Sequence, residues 1–117
     1  MKRIEFYKTE NGRSPIDEFF DELNAKQMQK VAWTLRIIKQ IDIVPKQYFK
    51  KLDGTDDLWE VRAKHSNTRI RILGFIMADS FIVLTTGFIK KTKKIPKNEI
   101  DIATKRKNNY LMRLKNE

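Results

Sequence analysis

The residues best suited to chemistry are basic and lie in the second half of the chain. In Leu58-Trp59-Glu60-Val61-Arg62-Ala63-Lys64-His65, the residues Glu60, Arg62 and Lys64 alternate with Trp59, Val61 and Ala63. In Arg69-Ile70-Arg71-Ile72, arginine alternates with isoleucine. Successive side chains of a strand point to opposite faces, and only Ser66-Asn67 and Thr68 separate the two segments. A tight hairpin between them predicts Arg62, Arg69 and Arg71 on one sheet face, with Lys64 beside them. Guanidinium groups held on a rigid sheet suit phosphate, because the fork donates two parallel hydrogen bonds. Glu60 is one acid against four bases, so an ordinary set of surface ion pairs with Glu60 is the competing reading.

Further along, Thr85-Thr86-Gly87-Phe88-Ile89-Lys90-Lys91-Thr92-Lys93-Lys94 places Lys90, Lys91, Lys93 and Lys94 within five positions. They read as an electropositive rim at the end of a sheet. An exposed Phe88 would stack on a base, a common way of holding single-stranded nucleic acid; its alternative role is core packing. Lys105-Arg106-Lys107 extends the positive surface. His65 is the only histidine, so no histidine-based metal cluster is expected, and Tyr110 fits a packing stripe. There is no Walker loop, no GxGxxG and no acidic cluster with metal-ligand spacing. Neither a metal nor a cofactor is expected.

The elements that must position these groups follow from periodicity. An alternating segment at 2–7 predicts a short first strand. Ser14-Pro15, followed by Asp17 and Glu18, opens a helix over about 15–24. A second helix over about 26–41 carries Met28, Val31, Leu35 and Ile38 on one stripe, and the short link suggests an antiparallel helical hairpin. Residues 47–57 read as a connecting loop. Strands are expected at 58–65, 69–77 and 80–88, joined as an antiparallel meander, and Pro96 opens a last helix with Ile100, Ala103, Tyr110, Leu111 and Leu114 as its apolar stripe. The expected fold is α+β, in the order β-α-α-β-β-β-α, with the helical hairpin and the C-terminal helix packed on a mostly antiparallel four-stranded sheet.

The 117 residues fit one compact domain, 1–117. The net charge of +10 is uneven: residues 1–57 hold 11 basic against 10 acidic side chains, and residues 58–117 hold 14 against 5. That asymmetry is the footprint of a polyanionic partner. An absence of cysteine excludes a disulfide framework. The first residues lack the apolar run of a signal peptide, and no stretch approaches the roughly 20 apolar residues that span a bilayer. A cytoplasmic protein without membrane contact is expected.

The element order, Leu58-Trp59-Glu60-Val61-Arg62, Arg69-Ile70-Arg71-Ile72-Leu73, Thr86-Gly87-Phe88-Ile89-Lys90-Lys91-Thr92 and Ile95-Pro96 resemble the RelE/HigB superfamily of bacterial toxins, in its phage-derived HigB-like branch. The resemblance spans nearly the whole chain. It implies the toxin of a type II toxin–antitoxin pair: a metal-independent endoribonuclease that cuts messenger RNA on the ribosome and so inhibits translation. It implies as partners the ribosome, messenger RNA and a cognate antitoxin, a small helix-turn-helix protein. By resemblance Arg71 stabilises the phosphate, Arg62 orients it, Lys90 or Lys91 adds charge or acts as base, and His65 is a candidate acid or base. Arg69, Lys64, Phe88, Lys93 and Lys94 would bind RNA. Many members carry a catalytic Tyr, His or Asp near the C-terminus; only Tyr110 lies there, so the general base stays open. A ParE-like inhibitor of DNA gyrase without nuclease activity, and a non-catalytic RNA-binding module, are the alternatives.

Overall fold

The computed structural model describes residues 1–116. Strand β1 (Arg3–Phe6) is followed by helices α1 (Pro15–Phe20) and α2 (Ala25–Gln40), strands β2 (Phe49–Lys51), β3 (Trp59–His65), β4 (Thr68–Ala78) and β5 (Phe81–Lys90), and helix α3 (Lys97–Lys115). The sheet has five strands in the order β1-β5-β4-β3-β2. Only the β1–β5 pair is parallel; the others are antiparallel.

The mixed α+β architecture agrees with the periodicity, and two expectations need correction. The sheet is not four-stranded: Phe49–Lys51, inside the expected loop, pairs with Trp59–Val61 as an added edge strand. Three residues are too few to show a period, and β3 supplies the pairing. The expected helical hairpin is also weaker than foreseen, because α1 ends at Phe20 and is only six residues long. α1 packs on β5 and α2 on β3, so both helices lean chiefly on the sheet.

Local chemistry fixes the helix starts. The Ser14 hydroxyl accepts from the Asp17 amide at 3.3 Å ahead of Pro15. Asn24 and Gln27 form a reciprocal capping box, at 2.8 and 2.9 Å, that starts α2.

The core lies on both sides of the sheet. Val61, Ala63, Ile70, Ile72, Ile82 and Leu84 meet Ile16, Phe19, Val31 and Ile38 from α1 and α2. On the other face α3 covers two patches, Leu58, Leu73 and Phe88 around Ala103, and Tyr7, Phe75 and Val83 around Tyr110. Arg106 of α3 donates to the Thr85 carbonyl (2.8 Å) and the Thr86 hydroxyl (3.2 Å). Lys107, expected as part of a positive surface, is instead buried; its ammonium donates to the Asp56 carbonyl and ties α3 to the β2–β3 loop. No helix among the described residues is long and apolar enough to cross a membrane.

Candidate nucleic-acid interface

Register brings the basic residues together. Arg62 stands opposite Arg71 and Lys64 opposite Arg69 across β3–β4, while Arg69 stands opposite Lys90 and Arg71 opposite Phe88 across β4–β5. Directly opposed residues share a face. One face of three adjacent strands therefore carries Glu60, Arg62, Lys64, Arg69, Arg71 and Lys90. Like charges opposed across a sheet repel, so the arrangement needs a counter-charge.

Glu60 supplies it. Its carboxylate is 3% exposed, with Oε1 at 3.4 Å from Arg62 Nε and Oε2 at 3.4 Å from Arg71 Nε. Arg71 is itself only 5% exposed, and its Nη1 donates to the Ile70 carbonyl at 3.0 Å. The surface ion pairs considered from sequence are thus a triad in which one acid sits between two guanidiniums, with Glu60 and Arg71 buried and Arg62 about a third exposed. The contacts are close enough for charge attraction but are not aligned as hydrogen bonds. Glu60 Oε2 and the Nε atoms of Arg62 and Arg71 are buried without a hydrogen-bond partner. They face one another across the 3.4 Å ion pairs, so the cluster is held by charge rather than by aligned hydrogen bonds.

The electrostatics follow from crowding. Burial lowers the pKa of Arg71, Glu60 raises it, and Arg62 and Arg69 lower it further. Burial also lowers the pKa of Lys90, reinforced by Arg71, Arg62 and Arg69 and opposed by Glu60. Lys90 is thus the amine of this cluster most readily stripped of its proton.

Other candidates fall elsewhere. Phe88 is 8% exposed and packs with Leu58, Leu73 and Ala103, so of the two roles open to it from sequence it takes core packing rather than base stacking. Strand alternation turns His65 to the face opposite Arg62 and Lys64, away from the triad. Lys91, Lys93 and Lys94 are exposed beyond the end of β5, where the Thr92 hydroxyl donates to the Lys94 carbonyl at 2.6 Å. Tyr110 packs edge-on against Phe75 with ring centroids 5.6 Å apart, and its hydroxyl bonds Glu5 at 3.3 Å. It belongs to the core rather than to the arginine face. Among the described residues no group of three or more His, Asp or Glu is placed to hold a metal.

A cleft of about 320 Å³ opens beside the triad, lined by Arg62, Ala63, Lys64 and Arg71 together with Lys30, Gln47 and Tyr48. Sequence reasoning missed the last three. Lys30 sits off the apolar stripe of α2 like any solvated lysine, and Gln47 and Tyr48 lie in a loop whose path only the β2–β3 pairing determines. A larger cavity of about 570 Å³, lined by Ile4, Phe6, Phe20, Met28 and Leu35 with Arg36 and Lys39 beside them, includes none of Arg62, Arg69 and Arg71.

A family model described as "Phage derived protein Gp49-like (DUF891)" matches residues 18–108. The match includes every residue of the arginine face. No curated protein matches the chain.

Proposed function

Because the chain belongs to the phage-derived Gp49-like family, we propose that it is the toxin of a type II toxin–antitoxin pair and cuts messenger RNA on the ribosome without a metal. The observation that carries this reading is the arginine face: Arg62 opposite Arg71, with Arg69 and Lys90 adjoining, around one buried acid. Phosphodiester cleavage by the neighbouring 2′-hydroxyl forms a 2′-oxygen–phosphorus bond and breaks the bond to the 5′-oxygen. It needs an acceptor for the 2′-hydroxyl proton, a donor to the leaving oxygen and positive charge on the pentavalent phosphate. Arg71 and Arg62 supply the charge, their guanidiniums held by Glu60. Lys90, with its lowered pKa, takes the 2′-hydroxyl proton, and solvent water supplies one to the leaving 5′-oxygen. Lys91, Lys93 and Lys94 draw in the RNA backbone, Arg69 and Lys64 hold it at the edge of the face, and a small helix-turn-helix antitoxin covers the same surface.

The test is incubation of the purified protein with translating ribosomes and mapping of messenger 5′ ends. Cleavage within codons is expected, and Arg71→Ala abolishes it together with growth inhibition. Because that change strands Glu60, an Arg71→Gln/Glu60→Gln pair, checked for folding by circular dichroism, carries the same expectation. A folded Arg71 variant with full toxicity would remove this active site. Intact messenger with inhibited supercoiling would replace the nuclease reading with a gyrase inhibitor.

A further inference from the structure

β2 pairs only with Trp59–Val61, so the next part of β3 has no full neighbour on that side. The Arg62 amide donates to the Tyr48 carbonyl at 2.8 Å, which pins Tyr48 beside Arg62 just where the pairing ends. The cleft lined by Lys30, Tyr48, Arg62, Lys64 and Arg71 opens at this point. Its volume of about 320 Å³ is at the small end of ligand-binding clefts, roughly 300–1,000 Å³. Tyr48 does not stand alone. Its ring meets Trp33 edge-on, with centroids 5.4 Å apart and planes at 78°, and the Lys30 ammonium sits 4.3 Å from the centre of the Trp33 ring. Trp33 is 37% exposed, an open apolar surface beside Lys30 at the margin of the cleft.

We propose that this cleft seats one nucleotide of single-stranded RNA, its base stacked on Tyr48, which Trp33 backs edge-on, and its phosphate held by Lys30 and Lys64, adjacent to the phosphate that Arg62 and Arg71 grip. The proposal rests on the RNA reading above and adds a subsite to it. Two features support it independently of the arginine face. Aromatic faces beside a cationic groove are the usual means of holding unpaired bases, and here the aromatic residues and Lys30 come from α2 and the loop before β2 rather than from the strands bearing the arginines. Phe88, the ring that sequence offered for stacking, is buried under α3, which leaves this pair as the aromatic surface next to the cluster. The stack tolerates any base, so the cleft fixes the register of the strand rather than its sequence.

The chain has two tryptophans, so Trp59→Phe leaves Trp33 as the sole indole reporter. Titrating that protein with a five-nucleotide single-stranded RNA at low salt should change Trp33 emission on binding. Tyr48→Leu should weaken binding about tenfold, the loss expected for one stacked base, and Tyr48→Phe should restore it. Lys30→Gln should weaken binding and lower the magnitude of the salt slope by roughly 0.7, the contribution of one phosphate contact on a single strand; it carries the same test if Tyr48→Leu does not fold. If Tyr48→Leu and Lys30→Gln bind within twofold of the parent while Arg62→Ala binds more weakly, the cleft is overturned and the RNA reading stands. Equal affinity for a duplex of the same length, whose bases are stacked internally, also overturns the cleft. A parent that binds no RNA overturns both.

Discussion

Glu60 places one negative charge between two guanidiniums, in surroundings where water screens poorly. Removing one member of such a cluster leaves the others uncompensated, at a cost of about 3–5 kcal/mol. Arg62 is a third exposed, which puts Glu60→Gln at the lower end. A loss of about 3 kcal/mol is expected in urea unfolding at pH 7; a change under about 1 kcal/mol would mean that the arginines do not depend on it. Lys90 makes a prediction in pH. The folded protein gives up the Lys90 proton more easily than the unfolded chain does. This residue's contribution to stability therefore rises with pH between its lowered pKa and the ordinary value of about 10.4, and is lost as pH falls through the lowered pKa. As proton acceptor it must be neutral, so cleavage should climb with pH and level off below the range of an ordinary lysine. Lys90→Arg should abolish that inflection, and an unaltered pH profile would take Lys90 out of the reaction. At this scale the alternation of 58–65 and 69–72 was enough to place the arginines on one face. It carried no information on depth: α3 packing decides that Phe88 is buried, and a period of two is equally blind to the burial of Glu60 and Arg71.

The β4–β5 pairing holds Lys90 in place, and it shifts register between Leu73 and Gly74. A Cβ at Gly74 would lie 2.2 Å from the Val83 carbonyl oxygen and 3.0 Å from the Leu84 Cα. Backbone cannot swing aside as a side chain does, so Gly74→Ala should cost at least about 2 kcal/mol, read as a lower urea midpoint. Wild-type stability in this variant would show that the close approach has no energetic weight. Of the elements, α2 was the most legible because its apolar stripe is long and Asn24-Ala25-Lys26-Gln27 supplies a complete cap. β2 was hidden by its length. The parallel partner of β1 was hidden because nothing near residues 3–6 names a strand beginning at residue 81. Lys107 looked like part of a solvated basic run because its partner, the Asp56 carbonyl, comes from a distant loop.

For the molecule as a whole, the net charge of +10 and its concentration in the second half bear, on the proposed reading, on RNA capture rather than on its cleavage. On single strands each neutralised phosphate contributes roughly −0.7 to the slope of log affinity against log salt. Lys93→Gln with Lys94→Gln should therefore reduce the magnitude of the slope by about 1.4, weaken binding evenly across sequences and leave the cleavage positions unchanged. A shift in cleavage positions would move these lysines from capture to recognition. The charge asymmetry was visible in the sequence, yet its division into a half-buried strand cluster and an exposed rim depends on where β5 ends.

Pairing β1 with β5 in parallel has a consequence for synthesis. Arg3 and Phe6 find their neighbours at Phe81 and Leu84, so β1 cannot join the sheet until β5 has been made. Loop closure over such a distance is slow, and the N-terminal segment emerges first. Lys90, Arg71 and the anchoring helix α3 likewise belong to the later part of the chain. A nascent polypeptide therefore cannot assemble the arginine face before Lys90 has emerged and β5 can pair with β4.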